Sequence, residues 1–221
     1  MADSLDPLAF IPPPLLELGK PSAPPPSLRP TPLSARAAPS PPPRRPIAFG
    51  TLKGFDVPDN MTGAALQKMR IIRDEVVKPG TTGPGLAYTR AVLGEILKGA
   101  PASVNGHNAG KWNLVQRIFY WIRGRVRYVL DPSRRELFQQ LPVTLKGGIG
   151  DCDDFTGALA VLLKAAGFRV KARCIEVRRG RGWAHIYPLV EIGGRWLALD
   201  ATTNNPPGWE PAHTRVSDLE L

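Results

Sequence analysis

The sequence predicts an α+β protein in which helices come first, a central helix follows a glycine-rich turn, and an antiparallel sheet closes the chain. Three observations predict it. Apolar residues recur at three- and four-residue intervals from about residue 62 to residue 166, the pattern changes to alternation after Gly167, and Gly147, Gly148 and Gly150 mark the entry to the central helix. With 221 residues and 43% hydrophobic content, the chain is large enough for one core and an appendage. Its net charge of +10 favours anionic partners, whether nucleic acid, envelope polymer or acidic protein, and selects none of them.

Residues 1–46 hold 15 of the 25 prolines, interspersed with Ser, Ala and Arg, which predicts an extended polyproline arm and a domain beginning at residue 47. Such an arm serves as a passive linker or as a docking segment. Composition favours the linker, and the apolar cluster Leu8, Phe10, Ile11, Leu15, Leu16 and Leu18 keeps docking as the alternative, since a mere spacer needs no such cluster. The first residues lack a basic stretch followed by an apolar one, so no signal peptide is expected, and no run is long enough to cross a bilayer.

A hinge at residues 47–54 precedes a helix with Leu66, Met69, Ile72, Val76 and Val77 on one face, started by Thr62 and ended before Pro79. The stretch 79–85 reads as a loop. A second helix carries Leu86, Val92, Leu93, Ile96 and Leu97, and Gly99 and Pro101 end it. Residues 102–112 read as another loop, with His107 a surface residue. A third helix from about Asn113 buries Val115, Ile118, Phe119, Ile122 and Val126. Its Arg117, Arg123, Arg125 and Arg127 suit a solvated face better than a nucleic-acid surface, since no exposed aromatics are interleaved. Asp131-Pro132 breaks that helix, and residues 142–145 lead into the glycine turn.

Residues 152–166 form the central helix, with Cys152, Phe155, Ala158, Leu159, Leu162, Leu163 and Ala166 on its inward face. A cysteine at a helix start meets free backbone N–H groups and the positive end of the dipole, which favour a thiolate. Asp153 and Asp154 oppose this by charge, so a nucleophilic Cys152 needs a partner base. The same position also suits a small buried side chain. Alternation then predicts strands at 168–177, 183–192 and 195–199, with Gly193-Gly194 as the hairpin turn. Pairing across that turn places residues whose numbers sum to about 387 opposite each other. His185 then lies near Thr202 and within reach of Asp200. A nucleophile, an imidazole base and a carboxylate that orients it are thus available from Cys152, His185 and Asp200.

Cys174, in the first strand, is no disulfide partner for a cysteine at a helix start. The spacing offers no close ligand pair, so neither a metal nor a cofactor is expected.

Arg125 to Pro132, Leu145 to Asp154, Ala184 to Tyr187 and Trp196 to Thr202 resemble the motif set of the transglutaminase-like superfamily of papain-type cysteine enzymes. The likeness is to phage and prophage members, and Pro206 to Trp209 extends it. The resemblance implies a papain-like core, Cys152 as nucleophile, His185 as base and Asp200 as orienter, with the Cys152 N–H in the oxyanion hole and Trp183 or Tyr128 as candidates for the second donor. One related group of bacterial cysteine proteinases binds calcium through acidic residues that flank the nucleophile, where this chain has Asp151 and Asp153. Two carboxylates alone are too few for calcium. The expected function is a cysteine hydrolase acting on a peptide or isopeptide bond, phage-encoded, located in a virion or the host cytoplasm, with residues 1–46 tethering it to a virion or other protein. The alternatives are a virion structural or assembly protein with an idle triad and, behind it, a nucleic-acid binder.

Overall fold

The computed structural model describes residues 52–55, 62–98, 108–132 and 136–221. The proline-rich arm, the start of the hinge and His107 lie outside the described residues. The chain runs β1 (Leu52–Phe55), α1 (Thr62–Ile71), a π-helical segment (Ile72–Val77), α2 (Lys78–Gly80), α3 (Gly83–Ile96) and α4 (Asn108–Arg123). Next come β2 (Arg127–Tyr128), β3 (Glu136–Gln139), α5 (Leu141–Gly147), β4 (Ile149–Gly150) and α6 (Cys152–Ala165). The last part is β5 (Val170–Glu176), β6 (His185–Ile192), β7 (Arg195–Ala198) and β8 (Arg215–Glu220).

The helices-then-sheet order is that of the expected α+β class. The main sheet is antiparallel in the order β7-β6-β5-β8. Its hairpin register is the one expected from the glycine turn, with Leu189 opposite Ala198 and Ile192 opposite Arg195. Gly193 and Gly194 have φ of 58° and 76°, the left-handed values that a two-residue turn of this twist requires. Two short pairs complete the strands: β1 with β3, antiparallel, and β2 with β4, parallel.

At the centre lies α6. Every residue from Asp153 to Leu163 is buried, so the helix is enclosed all round and not only along its apolar stripe. It packs on β5 and β6 on one side and on the π-helical segment, α3, α4 and α5 on the others. Phe155, Leu159, Leu162 and Leu163 join Val170, Ala172 and Val190 of the sheet and Ile118, Phe119 and Ile122 of α4 in one apolar cluster. Burial of such side chains contributes roughly 1.5–3 kcal/mol each, which fixes α6 as the reference for everything attached to its ends.

Several boundaries differ from the sequence expectation, each for a physical reason. Thr62 is the first residue of α1 rather than the one before it. The helix it begins does not stop before Pro79, because Pro79 sits in the first turn of α2, where its missing N–H is not needed. The expected loop 79–85 shrinks to Thr81 and Thr82, and Pro84 likewise sits in the first turn of α3. The third helix starts at Asn108 instead of Asn113, with Trp112 packed on the core. Pro142 opens α5 where only a connection was expected. β8 was missed altogether: most of its residues are exposed, so it shows no apolar alternation.

Candidate active site

Cys152 begins α6 and is held there by a two-way cap. The Asp151 carboxylate accepts from the N–H groups of Asp153 (3.0 Å) and Asp154 (3.4 Å), while the Asp154 carboxylate accepts from the Asp151 N–H (3.3 Å). Asp154 also accepts from the Gln139 backbone N–H (2.8 Å) and side-chain amide (2.7 Å), which fastens β3 to the start of α6. Gly150 is required beside it, because a Cβ there would lie 2.6 Å from the Cβ of Asp154. The Gly-Asp-Cys-Asp-Asp order is therefore a packed cap as well as a charge pattern.

On the sheet, the His185 Nε2 lies 2.9 Å from the Asp200 Oδ2, as the hairpin register led one to expect. The other oxygen, Oδ1, accepts from the Thr202 hydroxyl (2.6 Å) and N–H (3.2 Å). Burial works against the Asp200 charge, but the hydrogen bond and charge of His185 and the two Thr202 donors outweigh it and hold the carboxyl below its usual range. Arg123 from α4 donates to the Asn205 carbonyl and so ties down the loop beyond Asp200. Its guanidinium stacks on Phe119, 4.5 Å from the ring centre, and that of Arg125 stacks on Trp121 at 3.9 Å. Arg123 thus spends its charge within the fold, while Arg125 stays exposed, as a solvated face requires.

The backbone N–H of Ile186, the residue after His185, faces the Cys152 sulfur and favours its charged form, so the start of α6 lies beside the start of β6. The residue keeps partial exposure. Its thiol is nevertheless raised well above the ordinary value, by burial first and then by Asp153 and Asp151, with Lys68 and the Ile186 N–H pulling the other way. The expected opposition of Asp153 is real, whereas Asp154 is turned toward Gln139. Asp151, absent from that charge argument, acts on the thiol as well.

Sequence reasoning missed Lys68, Glu136 and Asp131. Lys68 Nζ lies 2.6 Å from the Glu136 Oε1 and 3.9 Å from the Asp153 Oδ2. A signal was present: Lys68 follows Ala65 by three residues and precedes Ile72 by four, and both of those are fully buried. A lysine at such a position enters the core face of its helix. Of the two candidate oxyanion donors, Tyr128 packs its ring 6.5 Å from that of Phe155, and Trp183 lies under the guanidinium of Arg215 at 5.1 Å. Burial, then the charges of Cys152, Asp151, Asp153 and Asp200, push the Tyr128 hydroxyl up to about 12.

Asp151, Cys152 and Asp153 bring one ligand atom each within 4.8 Å of one another, as do Asp131, Glu136 and Asp151. Neither set fits calcium, which takes six to eight hard oxygens. Asp151 is engaged by backbone N–H groups, Asp153 and Glu136 already face the ammonium of Lys68, Asp131 accepts from the Leu137 N–H, and Cys152 offers a soft sulfur.

Residues 100–201, which span all three triad candidates, match the model of the Transglutaminase-like superfamily. That segment belongs to the transglutaminase-like superfamily. Among solved structures, the chain is similar to a protease candidate from Parabacteroides distasonis, with 12% identity and a TM-score of 0.44 over 65% of this chain and 26% of that one. A cysteine protease candidate from Cytophaga hutchinsonii matches with 16% identity and a TM-score of 0.40 over 66% of this chain and 56% of that one. The chain thus spans about a quarter of one neighbour's length and just over half of the other's. No curated protein matches it. Among the described residues no helix is long and apolar enough to cross a membrane.

Proposed function

We propose that this transglutaminase-like chain is a cysteine hydrolase acting on peptide or isopeptide bonds, with Cys152 as nucleophile, His185 as base and Asp200 as the group that orients the base. The observation that carries the reading is the 2.9 Å contact between His185 Nε2 and Asp200 Oδ2, at the strand end whose next N–H, that of Ile186, faces the Cys152 sulfur. With Nε2–H donated to Asp200, Nδ1 is left free to accept the thiol proton. The sulfur then attacks the substrate carbonyl carbon, and the Cys152 N–H, unpaired at the first turn of α6, donates to the oxygen that gains charge. Collapse of the intermediate breaks the carbon–nitrogen bond, and His185 returns the proton to the leaving amine. Water, or an amine in a crosslinking variant of the reaction, adds to the thioester and regenerates the thiol. In this reading residues 1–46 tether the enzyme to a protein partner, in a phage particle if the motif resemblance carries over.

A covalent thiol probe on the full chain tests the mechanism. Cys152→Ala should abolish labelling in that region, and His185→Ala should lower the rate at neutral pH roughly 100-fold or more, the usual weight of a positioned base. Labelling indifferent to His185 would rule the mechanism out in favour of a protein that keeps the fold with the site idle.

A further inference from the structure

The collar around Cys152 is unusual for a thiol that must ionise: Asp151 and Asp153 flank it, and Glu136 and Asp131 lie close behind. An uncompensated set of carboxylates would keep the sulfur protonated. A cation beside the collar would offset it, and neither acidic group here fits calcium. We propose that Lys68 supplies that cation from within the chain. Its ammonium, held at 2.6 Å by Glu136 and set 3.9 Å from Asp153, acts as a positioning residue that offsets the collar and lets His185 deprotonate Cys152. The inference rests on the proposed role of Cys152.

The geometry favours a purpose beyond packing. Asp153 is buried and its Oδ2 has no hydrogen-bond partner, yet its Oδ1 lies 3.9 Å from the Cys152 sulfur. Lys68 therefore faces the carboxylate that most opposes the thiolate, and does so from a different element, α1. The groups facing Lys68 are Glu136 from β3, Asp153 and Cys152 from α6, Asp131 from the segment after β2, and Cys174 from β5. Burial alone would discharge the amine, but the attraction of Asp153 and the Glu136 hydrogen bond hold its pKa above the ordinary lysine value, so it stays charged wherever the enzyme works. Its side chain keeps 19% exposure.

The test is the alkylation rate of Cys152 in the full chain as a function of pH, read by mass spectrometry on the Cys152 peptide so that Cys174 does not contribute. Lys68→Met should move the midpoint up by about one unit and slow alkylation near neutral pH about tenfold, and Lys68→Arg should restore most of the rate. Where Lys68→Met alone fails to fold, the paired variant Lys68→Met with Asp153→Asn, which removes both charges, should fold and alkylate close to the original profile. A folded Lys68→Met or Lys68→Gln with an unchanged profile, or a paired variant as slow as His185→Ala, overturns the proposal. His185→Ala in the same series separates the two claims: a rate that falls with His185 but not with Lys68 leaves the triad standing without its cation, and a rate indifferent to both removes the triad as well.

Discussion

At Asp200 two opposing effects meet, and their balance decides what the residue can do. Burial favours the neutral acid, which would be useless for orienting an imidazolium, while His185 and both donors of Thr202 favour the anion and prevail. Asp200→Ala should therefore cut kcat/KM by about 10- to 100-fold, matching the roughly 1.5–3 kcal/mol of a hydrogen bond to a charged group. Thr202→Val removes the 2.6 Å hydroxyl donor but keeps the carboxylate, so its loss should be smaller. Its acid limb should move to higher pH, because Asp200 becomes harder to ionise, and a pH–rate profile that keeps its acid limb in place rules this account out. The meeting of His185 and Asp200 was legible in the sequence, because the glycine hairpin sets the register that joins them. Lys68 was not singled out, because its partner Glu136 lies 68 positions away, and only its spacing from Ala65 and Ile72 marks it as core-facing. Asp154 was read as a charge beside the thiol, whereas its carboxylate is spent on Gln139 and the cap.

Elements here are held in register by close approaches that a hydrophobic pattern does not reveal. A Cβ on Gly157 of α6 would lie 2.8 Å from Val76 Cγ1 in the π-helical segment, and one on Gly80 of α2 would lie 2.8 Å from both methyls of Val161 in α6. Each backbone thus receives a valine of the other, which sets α6 at a fixed depth and with it the height of Cys152 above β6. Gly157→Ala should cost about 1–3 kcal/mol through overpacking, and Gly80→Ala a similar amount. Urea unfolding would show it as a lower midpoint at unchanged slope. A midpoint equal to the parent's would mean the valines move aside freely. The central helix and strands β5, β6 and β7 were readable because burial writes a period into their residues. α5 was hidden by Pro142, which reads as a breaker but sits in a first turn, and β8 by its exposed edge position. Both are cases in which the backbone partner, not the side-chain pattern, makes the element. The π-helical segment is of the same kind, since Ile72, Val76 and Val77 are buried as an ordinary helix face would be.

For the molecule as a whole, the candidate site concentrates buried carboxylates, and this ties stability to pH in a direction opposite to the proposed chemistry. Burial first, then neighbouring carboxylates, raise Asp151 to about 6 and Asp154 to about 7, and Asp153 rises well above its ordinary value for the same first reason. A carboxyl whose folded pKa exceeds its unfolded one binds a proton in the native state that the unfolded chain has released. Its stabilisation is therefore complete below the ordinary value near 4 and is lost as pH rises through the folded value. Asp200 and Glu210 are depressed and act the other way, but their contribution is lost only as pH falls through the usual carboxylate range and below. Between pH 5 and 7.5 the raised aspartates set the slope. The urea midpoint of the full chain should be higher at pH 5 than at pH 7.5, and a midpoint that is flat or rises toward pH 7.5 would falsify the linkage. Replacing Lys68 by Met should steepen the fall, because the collar then ionises without its counter-charge. The thiol, in contrast, gains reactivity as pH rises, so the conditions that favour the proposed proton transfer from Cys152 to His185 are those in which the acidic collar most destabilises the fold around it.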